Sequence, residues 1–406
     1  MKTLIVFEWK KIIQRKLNLV AMIVGYVLIG ICLFCYISQQ SFYDETTDTY
    51  ITGVKAYHEN RIKNESMTDY LTEEYVSDII AQIQYENMDL ESDEGYTEVI
   101  RPIGSLFYLL GEHYQSCQEF GKLNCLNEMK ISKGAKFYER RMEKIGEILN
   151  MDYSFGNYSG EEKAFWIKKA LKVKMPFAWG DSENMYTVWM IIQISFYLLF
   201  VIMICVSPLF ASEYESGAVA LLLTTKYGKN KLITAKIITA IIFSLVYLIV
   251  GIGTAVGVFG IIVGIWGTDL PVQLMNTIIP YNWSIGQACV ISFLLVLLVA
   301  LAIVLFTAML SARTKGSMIT LVIDFLILIG PVFLPMSKEW GLWNDINYLF
   351  PVRAISLENV ISVFNSYQIG TIVISYLGMI IIVYTIVAIF SLCGIKNGFA
   401  KHQVSN

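Results

Sequence analysis

Charged residues are scarce in this chain of 406 residues, where they make up 16% of the sequence. A soluble domain averages about 25% charged and about 45–50% apolar residues. Here 55% of the residues are hydrophobic, and only three are histidines. The shortage of charge argues against a soluble globular protein.

Motifs for catalysis and nucleotide binding are also missing. The chain has no His-Glu-x-x-His metal site and no Gly-x-Ser-x-Gly nucleophile elbow. Its Gly-Lys pairs begin at Gly121 and Gly228 and are followed by Leu and Asn, so neither completes a phosphate-binding loop. We therefore expect a chain that is not an enzyme, binds no metal or cofactor itself and does not hydrolyse ATP.

Six stretches have no charge, or almost none, over more than the roughly 20 residues that cross a bilayer. They predict an all-α polytopic membrane protein with six transmembrane helices, the first over 17–38 and the others within 186–395. The first stretch is too long for a signal-peptide core, and no clear cleavage site follows it, so we expect it to stay uncleaved. The stretches are 17–43, 184–212, 237–268, 270–312, 316–337 and 359–395.

Basic residues predict the orientation, because Lys and Arg are retained on the cytoplasmic side of short connections. Outside residues 39–185 there are 15 basic residues, and all but Lys338 and Arg353 lie at the termini or in alternate connections. This distribution predicts that both termini are cytoplasmic, including a tail over 396–406. Residues 39–185 are then extracytoplasmic.

Residues 39–185 are predicted to form a mainly helical extracytoplasmic domain. They carry 26 acidic and 16 basic residues. Apolar residues recur at helical spacing over 75–83 and 142–149, and Ser159 begins a further helix with a capping box. Segment 96–100 is a weak strand candidate.

Acidic residues are concentrated in 44–98, a segment that contains 15 acidic and three basic residues. This half of the domain either binds a cationic ligand, such as a basic peptide, or simply has solvated helix faces. Cys117 and Cys125 form a candidate disulfide, since nearby cysteines tend to pair on the oxidising side of a membrane. The alternative is two thiols that do not bridge.

Asp324 is the one formal charge within the predicted transmembrane stretches. An ionisable side chain in the membrane interior costs about 2.5–3.5 kcal/mol on insertion scales, which makes it a functional candidate. It either hydrogen-bonds structurally to a neighbouring helix or takes part in conformational change or substrate passage. Transport by an Asp324→Asn variant distinguishes the two.

The N-terminal residues 1–16 predict an amphipathic helix in the cytoplasmic membrane interface. Its apolar side contains Trp9, whereas Glu8, Lys11 and Arg15 share another side, where bases can meet anionic headgroups. The alternative is a plain extension of the first transmembrane helix.

Segment 211–232 is too polar to span a membrane and too apolar for a free loop. It predicts an element that docks against another protein at the membrane surface, or an interfacial helix that touches only lipid.

This part of the chain resembles the permease subunits of ABC-2 type transporters. The matching features are an aromatic residue, a Glu, a Gly, a Leu-rich stretch, two Thr, a basic turn and a Lys in the next helix. In this chain they are Phe210, Glu213, Gly217, Leu221-Leu222-Leu223, Thr224-Thr225, 229–231 and Lys236. The N-terminal Phe7-Glu8-Trp9-Lys10-Lys11, the six-span order and Leu349-Phe350-Pro351 are similar to that family as well. The long segment after the first span departs from many of its members.

The resemblance implies that the segment from Glu213 to Lys226 is a coupling helix, docked in a cleft of a separate cytoplasmic ABC ATPase that binds ATP and Mg²⁺. Glu213, Glu215, Gly217 and Lys226 are the implied coupling residues, with the two acids pairing with bases of the ATPase. A second permease chain, identical or homologous, and a re-entrant segment within 340–368 are also implied.

These observations predict the membrane subunit of an ATP-driven exporter in a bacterial cell membrane, with a peptide or an amphiphile as cargo and no nucleic-acid partner. The alternative is a non-transporting membrane sensor with an extracytoplasmic ligand-binding domain.

Overall fold

Long apolar helices form the centre of the fold in the computed structural model. The structure describes residues 1–86, 88–117, 124–129, 136–153, 157–224, 230–334, 341–361 and 364–400. Within these residues, five helices are long and apolar enough to cross a membrane. We name them the first, second, third, fourth and last span helices. Their bounds are Lys16–Gln39, Glu183–Glu215, Lys231–Ile262, Ile285–Thr314 and Tyr376–Gly398.

The fourth span helix is the centre of this bundle, where it packs against the second, third and last span helices. The second consists of three consecutive helical segments, Glu183–Ile194, Phe196–Val206 and Pro208–Glu215. The end of the second span helix and the start of the third lie at the same end of the bundle as the N-terminal helix, because Lys236 contacts both Glu8 and Glu213. We call the end that carries the N-terminus the inner end and the opposite one the outer end.

The predicted fifth transmembrane helix is shorter than expected. A helix covers Ser317–Ile329 and continues as a 3₁₀ turn over Gly330–Phe333. At about 1.5 Å per residue, its 13 helical residues cover roughly 20 Å of a hydrocarbon core about 30 Å thick. We call it the short apolar helix, and the count of six spans stays a prediction.

Two of the predicted spans begin later than their uncharged stretches. The fourth span helix begins at Ile285, after a capping box of Ser284 and Gln287, because residues 263–284 form a folded connection instead. The last begins at Tyr376, because Ser366–Ile369 and Ile372–Ser375 form an antiparallel hairpin. Gly370 closes that hairpin at φ +63°, a conformation that glycine adopts without strain.

Residues 40–182, the outer region, lie between the first and second span helices and are mainly helical. Among its described residues, the region has two small antiparallel strand pairs. They are Ser41–Asp44 with Thr49–Thr52 and Tyr70–Leu71 with Phe177–Ala178. The longer helices are Val54–Met67, Glu73–Glu86, Ser105–Tyr114, Phe137–Asn150 and Gly160–Ala170. Shorter turns cover Asp93–Gly95, Tyr96–Ile100, Arg101–Ile103 and Cys125–Glu128.

The three helices predicted in this region are present, and the capping box of Ser159 and Glu162 forms as expected. The weak strand prediction over Tyr96–Ile100 is wrong. These residues form a π-helical turn between two other helical turns, with Val99 and Ile100 buried in the region's own core. Local β-propensity is overridden by packing there.

The disulfide predicted between Cys117 and Cys125 is absent. Cys117 Sγ lies 3.5 Å from Glu147 Oε2, whereas Cys125 Sγ lies 3.8 Å from the carbonyl oxygen of Gly111. The two sulfurs therefore face different neighbours. Cys117 and Cys125 are therefore two thiols that do not bridge, which was the alternative prediction.

The outer region is docked on the connection over 263–284 through a buried guanidinium. Arg141 is 1% exposed and donates to the carbonyl oxygens of Thr277 at 2.6 Å, Ile279 at 3.0 Å and Ala170 at 3.3 Å. Burial lowers the pKa of Arg141 to about 10. Because a buried charge is costly without hydrogen bonds, this arginine holds the connection in place.

His113 supports the same junction from within the core. Its Nε2–H donates to the carbonyl oxygen of Phe137 at 2.9 Å, and its Nδ1 accepts from the Thr277 hydroxyl at 2.8 Å. Burial lowers the pKa of His113 to about 3, so the ring is neutral. In this neutral form Nε2–H donates and Nδ1 accepts, so each ring nitrogen has a partner.

The last outer connection, between the short apolar helix and the last span helix, is bound to the outer region through its hairpin. Ser366 Oγ accepts from Trp166 Nε1 at 3.2 Å and donates to Glu162 Oε1 at 2.8 Å. The connection also contains the helices Gly341–Tyr348, Pro351–Ala354 and Leu357–Ile361. The structure does not place a membrane, so a re-entrant role for 340–368 stays a prediction.

The neutral His113 predicts that the fold weakens in acid. Its folded pKa lies below the value of about 6.5 for an unfolded chain, so between these values the unfolded state binds more protons. The stabilisation from His113 is complete above pH about 6.5 and is lost as the pH falls towards about 3. The thermal unfolding midpoint of the purified chain should therefore fall between pH 7.5 and 5.

His113→Gln should flatten this pH dependence, whereas His58→Gln should leave it unchanged, because His58 is exposed beside Trp266. An equal slope in the wild type and in His113→Gln would show that another group is responsible.

Candidate functional site: a buried charge cluster at the inner end

The N-terminal helix, Lys2–Gln14, is separate from the first span helix. The helix ends because Arg15 adopts an extended backbone with ψ 119°, and Asn18 Nδ2 donates to the carbonyl oxygen of Ile12 at 2.9 Å. This side chain satisfies one of the carbonyl groups that a helix end leaves unpaired. The alternative of a plain extension of the first span is therefore wrong, while the position in a membrane interface stays a prediction.

The N-terminal helix packs along the third span helix. The Trp9 ring contacts Phe243 edge to face, with 6.0 Å between ring centroids, and Thr239 Oγ1 donates to the carbonyl oxygen of Ile5 at 3.3 Å. This contact turns Glu8 away from headgroups and into the protein, where it is 2% exposed.

Lys236 meets Glu8 in the interior. Its ammonium is 1% exposed and donates to Glu8 Oε2 at 2.9 Å, Glu213 Oε1 at 2.9 Å and the carbonyl oxygen of Leu209 at 2.8 Å. A lysine ammonium has three N–H donors, so all three are used. The three acceptors come from the N-terminal helix and from the inner end of the second span helix.

Lys11 is the second base beside Glu8 and Glu213, at the solvent-exposed edge of this site. Its ammonium lies 2.8 Å from Glu213 Oε1 and 3.6 Å from Glu8 Oε1, and its side chain is 43% exposed. We call Glu8, Lys11, Glu213 and Lys236 the charge cluster. It contains two acids and two bases and therefore carries no net formal charge.

A break in the second span helix positions Glu213. Pro208 has no N–H and begins the last helical segment, so the carbonyl oxygen of Ile204 accepts from Ser207 Oγ at 3.3 Å instead. Ser311 of the fourth span helix binds the next turn, because its Oγ donates to the carbonyl oxygen of Ser207 at 2.7 Å. The same oxygen accepts from the backbone N–H groups of Phe210 at 3.0 Å and Ala211 at 2.9 Å. The buried hydroxyl thus fixes the segment that carries Glu213.

A cavity of about 350 Å³ borders the charge cluster. Arg15, Ser212 and Ser216 line it together with members of the cluster. Arg15, predicted to meet headgroups, therefore lies on its wall. The cavity gives the inner end a polar opening beside the buried ion pairs.

The predicted coupling segment continues directly from this site. Gly217, at φ +72°, turns the chain out of the second span helix, and a short helix follows over Ala218–Thr224. Its Val219 is buried, whereas Leu221 is 73% exposed. Lys226 lies outside the described residues.

The two predicted coupling acids have partners within the chain. Glu213 is 6% exposed and pairs within the chain as a member of the charge cluster, whereas its pairing with a base of another protein stays a prediction. Glu215 accepts from the backbone N–H of Ser317 at 2.7 Å and from its hydroxyl at 2.8 Å. A carboxylate at the start of the short apolar helix is favourable because of the helix dipole.

Sequence analysis named Glu8, Lys11 and Glu213 as site residues, whereas it listed Lys236 only as part of the family motif. The available signal was a single charge on the buried face of a long apolar helix.

Asp324 lies apart from the cluster, on the short apolar helix. It is 3% exposed, and its Oδ2 has no hydrogen-bond partner in the described part of the chain.

The fold and this site define a multi-pass membrane protein of helical bundle architecture with a folded outer region. A family model described as ABC-2 family transporter protein matches residues 3–394. The chain therefore belongs to that family, whose members are membrane components of ABC transporters, and is a permease. No curated protein and no solved structure matches the chain.

The charge cluster predicts a large cost for removing Lys236. Lys236→Met should lower the free energy of unfolding by about 3–5 kcal/mol, because it leaves Glu8 and Glu213 buried without their counter-charge. Chemical unfolding in detergent micelles, followed by tryptophan fluorescence, measures this change.

Adding Glu8→Gln and Glu213→Gln to Lys236→Met should restore much of the loss, since no buried charge is then left uncompensated. Lys10→Met, an exposed change on the same N-terminal helix, should stay within about 0.5 kcal/mol of the wild type. A cost for Lys236→Met no larger than that of Lys10→Met would contradict the role of the cluster.

Proposed function

We propose that this chain is the permease subunit of an ATP-driven exporter and works with a separate cytoplasmic ABC ATPase, which binds ATP and Mg²⁺. The distribution of basic residues supports an inner end that faces the cytoplasm of a bacterial cell, with both termini there. Membership of the family supports the partnership with an ATPase.

The contact with the ATPase, in this proposal, is made by the segment 211–232. The exposed Leu221 on the helix Ala218–Thr224 supports this, because an apolar side chain at a helix surface suits a docking groove. Gly217, in its left-handed conformation, sets the angle at which this helix leaves the second span helix.

The charge cluster is the observation that carries the proposal. Lys236 binds Glu8 of the N-terminal helix and Glu213 of the segment that leads to the docking helix. A displacement of the docking helix is therefore passed to the third span helix and to the N-terminal helix together. Glu213 acts through this internal link, while Glu215 passes the displacement to the short apolar helix through Ser317.

A second permease chain and an amphiphilic or peptide cargo belong to the proposal as well. Apolar side chains of the first and third span helices line an open groove of about 320 Å³, with Gly30 and Gly251 in its wall. Small residues allow close approach of a further helix in a membrane. The groove is thus suited to a second chain.

Leu221→Asp tests the docking step. A carboxylate at this exposed position should abolish association with the ATPase while leaving the fold intact, because no buried contact is lost. Affinity purification of the full chain from its host, with mass spectrometry and an ATP-hydrolysis assay of the co-purified material, measures the association.

Leu171→Asp is the matched control, since Leu171 is 64% exposed but belongs to the outer region, far from an inner-end partner. It should keep the ATPase bound. Unchanged association of Leu221→Asp would move the docking surface elsewhere. No ATPase with the folded wild type would favour a membrane sensor instead.

A further inference from the structure

A polar cavity of about 300 Å³ lies where the outer region meets the ends of the first and second span helices. Its wall contains the strand pair over 41–52 and side chains from the helices around residues 60–64 and 96–108. Its floor includes Ser182 and Glu183, at the start of the second span helix. The cavity therefore lies at the level where a bilayer has its outer headgroups.

Two basic side chains meet in this cavity, and neither is in an ion pair. Lys63 Nζ donates to the carbonyl oxygen of Arg101 at 2.6 Å. Neither Lys63 nor Arg101 forms an ion pair with a carboxylate of the described residues. Burial lowers the pKa of Lys63, and the charge of Arg101 lowers it further while that of Glu45 opposes this.

Arg101 has donors to spare. Its guanidinium stacks 3.7 Å from the ring centre of Tyr43 and 5.7 Å from that of Tyr96, which leaves its edge for hydrogen bonds. One amino group has a long bond of 3.4 Å to Thr97 Oγ1, and the buried Nε–H has no partner among the described residues. Because Arg101 already occupies the aromatic faces, the cavity is suited to an anion rather than to a cation.

The acids that line the cavity limit the charge of its ligand. The Asp181 carboxylate is committed to the Trp266 indole at 2.7 Å and to the Asn64 amide at 3.2 Å. Glu183 is the other carboxylate in the lining. The lining therefore contains two bases and two acids and has no net formal charge, which favours a single anionic group over a polyanion.

We propose that this cavity binds the phosphodiester group of a lipid headgroup. Lys63 and Arg101 supply charge-assisted hydrogen bonds to its oxygens, which are the strong class of such bonds. The exposed tyrosines Tyr50 and Tyr108 on its wall are typical of the headgroup level. The bound lipid connects the outer region to the bilayer beside the first and second span helices. This site is separate from the charge cluster, so its test does not depend on the proposed coupling to an ATPase.

The test is a binding titration of the full chain in detergent by native mass spectrometry. The probes are phosphatidylglycerol and a diacylglycerol with the same acyl chains but no phosphate. The double variant Lys63→Gln/Arg101→Gln should bind phosphatidylglycerol at least about tenfold more weakly than the wild type, because the charge-assisted hydrogen bonds to the phosphodiester are lost. The diacylglycerol should bind the wild type and the variant alike.

Arg61→Gln is the matched control, because Arg61 is on the same helix as Lys63 but pairs with Glu65 at 2.8 Å outside the cavity. It should keep the wild-type affinity, and so should the charge-conserving Lys63→Arg. Thermal unfolding of each variant checks that the loss of binding is not a loss of fold.

Displacement of the lipid by inorganic phosphate at equal concentration would support the oxyanion site but overturn the lipid as its ligand. Equal phosphatidylglycerol affinities of the double variant and Arg61→Gln would overturn the site itself. A wild type that binds the diacylglycerol as well as phosphatidylglycerol would overturn it too.

Discussion

The burial of the Lys236 ammonium constrains the whole inner end of this permease. An ion taken out of water costs several kcal/mol unless its partners are well placed, and here the partners are Glu8, Glu213 and the carbonyl oxygen of Leu209. These groups belong to separate elements, which must keep their relative positions for the charge to remain satisfied. The N-terminal helix, the broken end of the second span helix and the third span helix therefore form one mechanical unit.

The outer end is held by a different arrangement of charge. Arg141 is buried among carbonyl oxygens of the connection over 263–284, and Ser366 of the last connection bonds to Trp166 and Glu162. The outer region thus contacts both connections that follow it. Since the third span helix leads directly from Lys236 to the connection over 263–284, a displacement at the inner end has a continuous helical path to the outer region.

Features that depend on residues close in the chain could be predicted from the sequence, whereas contacts between distant residues could not. Apolar length and spacing predicted the span helices, the helices around Ile80 and Ile145, and the Ser159 capping box, because these depend on residues close in the chain. The helical wheel placed Glu8 on the polar side of the N-terminal helix, and only the packing of Trp9 on Phe243 turns it inward. The partners Glu8 and Lys236 are 228 residues apart, a separation that no local pattern reveals.

Distance measurement between genetically encoded spin labels at Lys10 and Ser216 would test whether the cluster makes one mechanical unit. Both positions are exposed and flank the charge cluster. When the ATPase is loaded with a non-hydrolysable ATP analogue, this distance should stay constant in the wild type, while the distance from Lys10 to a label at Lys172 in the outer region changes. In Lys236→Met the distance between Lys10 and Ser216 should broaden or shift. A shift of the same size in the wild type would contradict the rigid link through Lys236.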